Sequence, residues 1–298
     1  MKESRPITKA VIAAAGYGTR FLPATKNQPK QMLPLIDKPI IQYLVEEAVA
    51  SGITDIVLVT QHGAHIMEDY FDNHYEIEDV LEKRGNTELL KMIRAIPTLA
   101  NFYYVRQKKH LPYGNAVPIL AVKDLIDDDE AFVYMFGDDV TISKTPVVKQ
   151  LIGVYEQYHP SAILAVQEVP DNIVEKMGTV KYKENPKYPY EIELGVEKAP
   201  LGENPSNMAQ FGRFVFTYDV VREIEKMKTG KNNELWVIDI LNDLAQAGKH
   251  VLAQPVEGRW MTTGDPLAYL ETTLELAIKR DDIKDELIPY LKNLVAHL

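Results

Sequence analysis

The stretch that most restricts the fold is Lys9 to Ala15 (KAVIAAA), a short apolar run that stops at Gly16-Tyr17-Gly18. Such a run predicts a buried strand, and the glycines predict a tight turn leaving it. Ile40 to Ser51 (IIQYLVEEAVAS) carries apolar residues at helical spacing and stops at Gly52, a suitable C-terminal cap. Asp55 to Thr60 (DIVLVT) predicts a second buried strand, and Ile66 to Phe71 a second helix. Strand, loop, helix, strand and helix in that order predict a parallel sheet with right-handed crossovers.

The rest of the chain extends this pattern. Ile77 to Ile96 is charged and helical with a break around Gly85, Phe102 to Arg106 reads as a strand, and Asn115 to Leu125 as a helix with Pro118 near its start. Ala131 to Phe136 (AFVYMF) is a third buried strand and runs into Gly137-Asp138-Asp139. Ala162 to Val169 is another strand. From Gly178 to Arg213 the pattern changes to short strands and turns, which predicts a small β-rich insertion for a second ligand. Phe214 to Phe216 then reads as a short strand, while Tyr218 to Met227, Val237 to Gln246, Pro266 to Arg280 and the tail to Leu298 read as helices. The expected class is α/β, a Rossmann-like mixed, mostly parallel sheet flanked by helices, with no linker separating two units.

Composition narrows the function. The 298 residues are 46% hydrophobic and 26% charged, which excludes disorder over most of the length. No apolar run approaches the roughly 18 residues that span a bilayer. The first residues lack a signal-peptide pattern, because their apolar stretch is short and ends in the glycine turn. Cysteine is absent, so disulfides, a thiol nucleophile and cysteine-ligated metals are excluded, and a cytoplasmic location is expected. A net charge of −10 argues against nucleic acid as a partner, yet an acidic chain still binds a nucleotide when its few cations converge on the phosphates. The histidines lack metal-ligand spacing, and Trp236 and Trp260 are expected to anchor packing.

Five places carry candidate chemistry. Gly16-Tyr17-Gly18-Thr19-Arg20 follows a strand, where glycines let backbone N–H groups approach a phosphate. The third glycine of a dinucleotide fingerprint and the Gly-Lys-Ser/Thr of a P-loop are both missing, so a plain turn explains the pattern equally well. Arg20, Lys26 and Lys30 crowd the following proline-bearing loop, expected to be stiff and extended, and point to a polyphosphate. Asp138 and Asp139 stand at a strand end, where a carboxylate can hold Mg2+ and a turn aspartate is the alternative. Glu197-Lys198 pairs an acceptor for sugar hydroxyls with a cation for a sugar phosphate, although an isolated Glu-Lys is more often a surface ion pair. Gln107, before the loop to Gly114, has an amide suited to a base edge.

Taken together, AAAGYGTRFLPATKNQPKQMLPLIDKPIIQYLVEEAVASGITDIVLVT, FDNHYEIEDVLEKRGNTELL, VRQKKHLPYGNAV, FGDD, GVEKAP, NMAQFGRFVF and TTGDPLAYL resemble the nucleoside-diphospho-sugar pyrophosphorylase superfamily. Within it they are most similar to the bacterial-type UTP–glucose-1-phosphate uridylyltransferases, over nearly the whole chain. The second string resembles a charged helical segment that is shorter in the related thymidylyltransferases. The resemblance implies a nucleotide-diphospho-sugar transferase fold and a single nucleotidyltransferase domain over 1–298. Its nucleotide-binding part would be about 1–160, its sugar-binding part about 161–265 and its C-terminal helices about 266–298. It implies that Ala14, Ala15, Gly16, Gly18 and Thr19 hold the nucleotide and that Gln107 and Gly114 recognise uracil. Arg20 and Lys30 would act on the triphosphate, Asp138 would bind Mg2+, and Gly178, Glu197 and Lys198 would hold glucose 1-phosphate. The implied reaction joins UTP and glucose 1-phosphate into UDP-glucose and pyrophosphate in a homodimer or homotetramer, with Pro266 to Leu298 a candidate interface.

The chain departs from the family pattern at Gln31, where the uridylyltransferases usually have Glu, at Asn115, where they have His, and at Leu235 to Asp239. Thr262 stands where the family's second Mg2+ carboxylate precedes Thr-Gly or Cys-Gly. Either Asp138 and the phosphates suffice, or Asp139 or Asp265 contributes, or activity is reduced. Two alternatives follow. One is a thymidylyltransferase, or a uridylyltransferase for another sugar 1-phosphate. The other is a catalytically impaired sugar-nucleotide-binding regulator.

Overall fold

A computed structural model describes residues 5–63, 65–185, 187–200, 202–227 and 233–297; the expectations placed on Met1–Ser4 and Leu298 lie outside the described residues. The first strand, β1 (Lys9–Ala14), alternates between two cores. Ile12 joins Leu44 and Leu58 on one face, and Val11 joins Val57 and Tyr134 on the other. Both faces are dry, which is why the run lacks the polar alternation of a half-exposed strand. Three short 3-10 turns follow at Thr19–Phe21, Ala24–Lys26 and Lys30–Met32. A small hairpin of β2 (Pro34–Leu35) and β3 (Lys38–Pro39) leads into α1 (Ile40–Ala50), which buries Ile40, Ile41, Leu44, Val45 and Ala48 along one face. Next, β4 (Asp55–Thr60) pairs parallel with β1, from Lys9 opposite Asp55 to Ala14 opposite Thr60. After α2 (His65–Tyr70), helices α3 (Tyr75–Lys83) and α4 (Thr87–Ala95) separate at Gly85, as expected. Asn86 caps α4, its Oδ1 accepting the Leu89 N–H at 3.2 Å.

Strand β5 (Asn101–Arg106) completes one side of the sheet by pairing parallel with β4. After α5 (Val117–Ala121) the chain crosses back, and β6 (Ala131–Phe136) pairs with the other edge of β1. The elements that follow are β7 (Asp139–Ile142), α6 (Val147–Tyr158), β8 (Ala162–Glu168), α7 (Asp171–Val174), β9 (Gly178–Tyr182), β10 (Ile192–Glu197) and β11 (Met208–Thr217). Then come α8 (Tyr218–Ile224), α9 (Val237–Gln246), β12 (Val251–Pro255), β13 (Arg259–Thr262), α10 (Pro266–Ala277) and α11 (Lys284–Ala296). The main sheet has nine strands, in the order β10-β9-β11-β6-β1-β4-β5, with β8 beside β11 and β12 beside β8. All but β10 and β11 point the same way, so the sheet is mixed and mostly parallel, with helices on its faces and a β-rich insertion around β9 and β10. Among the described residues no helix is long and apolar enough to cross a membrane.

Several expectations are corrected. The short strand at Phe214–Phe216 is the end of the ten-residue β11, which starts at Met208. Its middle looked irregular because Gln210, Gly212 and Arg213 are not strand-like residues. They lie at a register shift between Gln210 and Phe214, where their polar groups find partners from elsewhere in the chain. The helix expected over Asn115–Leu125 is α only from Val117 to Ala121, because the Asn115 side chain caps α9 by accepting the Val237 N–H at 2.8 Å. The periodicity reading passed over α6 and the short strands β7, β12 and β13.

Candidate active site

The chain leaves β1 toward β4 on one side and returns through β6 on the other, so a crevice opens at the carboxyl ends of β1 and β6. Gly137 closes its floor, donating its N–H to the Ala13 carbonyl at 3.1 Å. Ala14 is buried at the end of β1, and Ala15 packs on the second core. Open space stands above the Gly16 backbone. Gly18 adopts φ +62°, a left-handed turn that suits glycine, and starts the first 3-10 turn at Thr19. The Thr25 hydroxyl pins this turn by donating to the Gly18 carbonyl at 2.7 Å. The loop after it is therefore coiled into three turns rather than extended, which corrects the expectation drawn from its prolines. The coiling brings Lys30 back beneath Gly18, while Lys26 stays exposed on the second turn.

Lys30 Nζ forms an ion pair with Asp138 Oδ2, and both side chains are largely shielded, at 16% and 27% exposure. Arg20 Nη1 donates to the Gly264 carbonyl at 3.2 Å. A Cβ at Gly264 would lie 3.2 Å from Thr262 Oγ1, 3.5 Å from Asp138 Oδ2 and 3.6 Å from Arg20 Nη1. Two cations, one carboxylate and a hydroxyl thus surround a cradle that any side chain at 264 would fill. Gln31, 2% exposed, packs against Gly137 as a neutral neighbour to this group.

The other carboxylates considered for a metal are committed elsewhere. Asp139 points inward, its Oδ2 accepting the Gly212 N–H at 2.8 Å. Burial, helped by the Asp138 charge, pushes its carboxyl up to about 6, against the pull of Arg213 and the Gly212 amide. Asp265 caps α10, accepting the N–H groups of Leu267 and Ala268 at 3.1 Å. Thr262 Oγ1 accepts the Gly264 N–H at 3.1 Å, and Thr263 anchors the turn by donating to the Asp138 carbonyl through N–H and hydroxyl, at 2.7 and 2.9 Å. Among the described residues no group of three or more His, Asp or Glu side chains is arranged to hold a metal ion.

Gln107 sits just past the end of β5, its N–H donating to the Thr60 carbonyl at 2.9 Å. That places it two strands from β1, about 10 Å across the sheet. Gly114 lies against Leu235, whose N–H donates to the Tyr113 carbonyl at 2.8 Å. On the insertion, Gly178 starts β9 opposite Glu197 at the end of β10. Glu197 Oε1 is 3.8 Å from Lys198 Nζ, and that ammonium lies over the Trp236 ring, 4.9 Å from its centroid. Trp236, expected to anchor packing, thus also supports a cation. Burial holds the Glu197 carboxyl above the usual range, against the pull of Lys198 and Gln210.

The family model described as nucleotidyl transferase matches residues 9–278. The chain is 41% identical over 290 residues to the UTP–glucose-1-phosphate uridylyltransferase of Staphylococcus haemolyticus strain JCSC1435, covering 97% of this chain and 99% of that one. The chain belongs to the bacterial-type UTP–glucose-1-phosphate uridylyltransferases. Two solved structures of this family carry its fold. One is UDP-glucose pyrophosphorylase complexed with UDP-glucose, with a TM-score of 0.81 and 37% identity over 92% of this chain and 100% of that chain. The other is the UTP-bound enzyme of Acinetobacter baumannii, with a TM-score of 0.83 and 30% identity over 98% and 99%.

For a uridylyltransferase of this kind, reasoning from sequence missed Gln210, Arg213 and Glu47, whose partners are far apart in the chain. Gln210 Nε2 donates to Glu197 Oε2 at 3.0 Å. Arg213 donates to the Asp139 carbonyl at 2.7 Å and to the Gly212 carbonyl at 3.0 Å, holding the turn that carries Asp138. A polar residue between apolar strand residues, as in Gln210-Phe211-Gly212-Arg213-Phe214, was the available signal.

Proposed function

We propose that the chain joins UTP and glucose 1-phosphate into UDP-glucose and pyrophosphate in the crevice at the ends of β1 and β6. The observation that carries this reading is the convergence of Arg20, Lys30 and Asp138 on the Gly264 cradle. UTP lies with its ribose and phosphates over the backbone from Ala14 to Thr19. Gln107 and the backbone at Gly114 read the base. Glucose 1-phosphate enters from the insertion, with Glu197 accepting sugar hydroxyls and Lys198 and the Gly178 backbone holding the phosphate side.

One oxygen of the sugar phosphate attacks the α-phosphorus of UTP in line. The new P–O bond forms as the bond to the β-phosphate oxygen breaks, and pyrophosphate leaves with the electron pair. The attacking oxygen is already anionic, so no general base is required, and catalysis rests on alignment and charge stabilisation. Lys30 stabilises charge building on the α-phosphate oxygens, and Arg20 binds the leaving phosphates.

The donor set fits Mg2+, which binds through one or two carboxylates and substrate phosphates and keeps several waters. Asp138 is the outward carboxylate beside the open cradle, with the Thr262 hydroxyl next to it. When bound, Mg2+ supplies positive charge to the triphosphate. Residues about 1–160 bind the nucleotide, about 161–265 bind the sugar, and the C-terminal helices pair copies into a homodimer or homotetramer. The exposed Tyr290 and Val295 of α11 support that last assignment.

The test is pyrophosphate release with glucose 1-phosphate and Mg2+, comparing UTP with dTTP. Faster release with UTP is expected. Release mainly with dTTP overturns the nucleotide assignment, and silence with both overturns the catalytic reading.

A further inference from the structure

The insertion holds a buried amide to which the mechanism above gives no task. Gln210, on β11, is 5% exposed. Its Nε2 donates to Glu197 Oε2 at 3.0 Å, while its Oε1 has no hydrogen-bond partner. The carboxylate decides which end of the amide faces it, since an amide oxygen there would meet a second acceptor. Gly178 closes the other side of this contact. A Cβ at 178 would lie 2.2 Å from Gln210 Nε2 and 2.6 Å from Glu197 Oε2, so only glycine leaves room for the pair. A second amide stands nearby on the half-buried Asn204, whose Oδ1 accepts from the Thr179 hydroxyl at 3.4 Å and whose shielded Nδ2 also lacks a partner. One orphaned acceptor and one orphaned donor therefore flank Gly178-Thr179. Buried polar atoms without partners are rare in folded chains and costly, and a polar ligand is one way to satisfy them.

We infer that Gln210 is a specificity-determining residue for the sugar 1-phosphate. Its Nε2 fixes the rotation of the Glu197 carboxylate, and its Oε1 accepts from a hexose hydroxyl. The hexose is then read by an amide–carboxylate pair instead of a carboxylate alone. A site built to hydrogen-bond hydroxyls rejects a mismatched hydroxyl pattern more strongly than an apolar pocket does. The inference rests on the reading of Glu197 and Lys198 as the sugar side of the site.

The experiment compares wild type with Gln210→Met, Gln210→Glu and Gly178→Ala. It measures KM for glucose 1-phosphate, galactose 1-phosphate and UTP, and calorimetric affinity for UDP-glucose and UDP. The methionine variant removes the amide, the glutamate variant keeps its shape but sets two carboxylates together, and the alanine variant displaces the amide from the opposite side. Each is expected to raise KM for glucose 1-phosphate by roughly tenfold or more, as loss of a hydrogen bond to a charged group does. KM for UTP and the affinity for UDP should stay within about twofold, and the preference for glucose over galactose should narrow. If the methionine variant fails to fold, the glutamate variant decides. Unchanged sugar kinetics in the variants of a wild type that makes UDP-glucose, or an equal rise in both KM values, overturns the inference alone. A wild type that neither makes UDP-glucose nor binds it more tightly than UDP overturns the functional reading and the inference with it.

Discussion

Arg213 and Glu47 form an ion pair almost entirely removed from solvent, with Arg213 Nη2 2.8 Å from Glu47 Oε2 and side-chain exposures of 0% and 9%. Arg213 Nε adds contacts of 3.2 and 3.1 Å to the two Glu47 oxygens. Glu47 also accepts from the Thr141 hydroxyl at 2.9 Å and from the Val148 N–H at 3.2 Å. One carboxylate on α1 thus ties together β7, the start of α6 and the irregular middle of β11, beneath the turn that carries Asp138.

Removing one member of that pair leaves a buried charge alone. Arg213→Met is expected to cost about 3–5 kcal/mol, read from urea denaturation midpoints. Adding Glu47→Leu in the same chain should recover much of the loss, because two apolar groups often replace a buried pair at little cost. A double variant as unstable as the single one would show that the hydrogen bonds from Glu47 to Thr141 and Val148 outweigh the ion pair.

Lys30 is paired with Asp138 at the end of β6. Lys30→Gln is expected to lower kcat by about a hundredfold to a thousandfold, the usual loss on deleting one group that stabilises transition-state charge. KM for glucose 1-phosphate should move by no more than about threefold. Steady-state kinetics check both, and an unchanged kcat would remove Lys30 from the reaction.

Which parts of this site were legible in the sequence follows from how far apart the partners are. Strands β1, β4 and β6 were readable because both of their faces are dry and their apolar runs are unbroken. The glycine turn and Asp138 were readable because each directly follows such a strand. By contrast, Gln210 and Arg213 meet Glu197 and Glu47 only through the fold, so β11 read as a loop with a strand at its end. The choice among metal ligands was also closed to sequence, since Asp139 and Asp265 differ from Asp138 only in where their side chains turn. The coiling of the Arg20–Lys30 loop escaped because prolines fit a 3-10 turn as well as an extended segment.

With Asp139 buried and Asp265 capping α10, the proposed function assigns Mg2+ to Asp138 at the cradle. Chelation is expected to stop turnover reversibly. Asp138→Asn should raise the Mg2+ concentration for half-maximal rate by roughly tenfold or more, and Thr262→Asp should lower it by adding a second carboxylate. A titration of rate against Mg2+ reads both, and a Thr262→Asp variant needing more Mg2+ than wild type would show that the hydroxyl is required as it stands.

Glu191 is 1% exposed, between Lys183 Nζ at 3.1 Å and His250 Nδ1 at 2.7 Å, with the Asn185 amide on its second oxygen. Burial alone would push its carboxyl up, but His250, Asn185 and Lys183 together carry it below the usual carboxylate value. Between its folded and unfolded values the unfolded chain holds more protons, so this contribution rises with pH there. It is complete above about pH 4.5, the ordinary range for glutamate, and is lost as pH falls through the lowered folded value. Thermal midpoints of wild type and Glu191→Gln should therefore differ at about pH 5 and converge as the pH falls through the lowered folded value. A margin that widens as the pH falls below about 5 would mean that Glu191 is held in its neutral form in the folded chain.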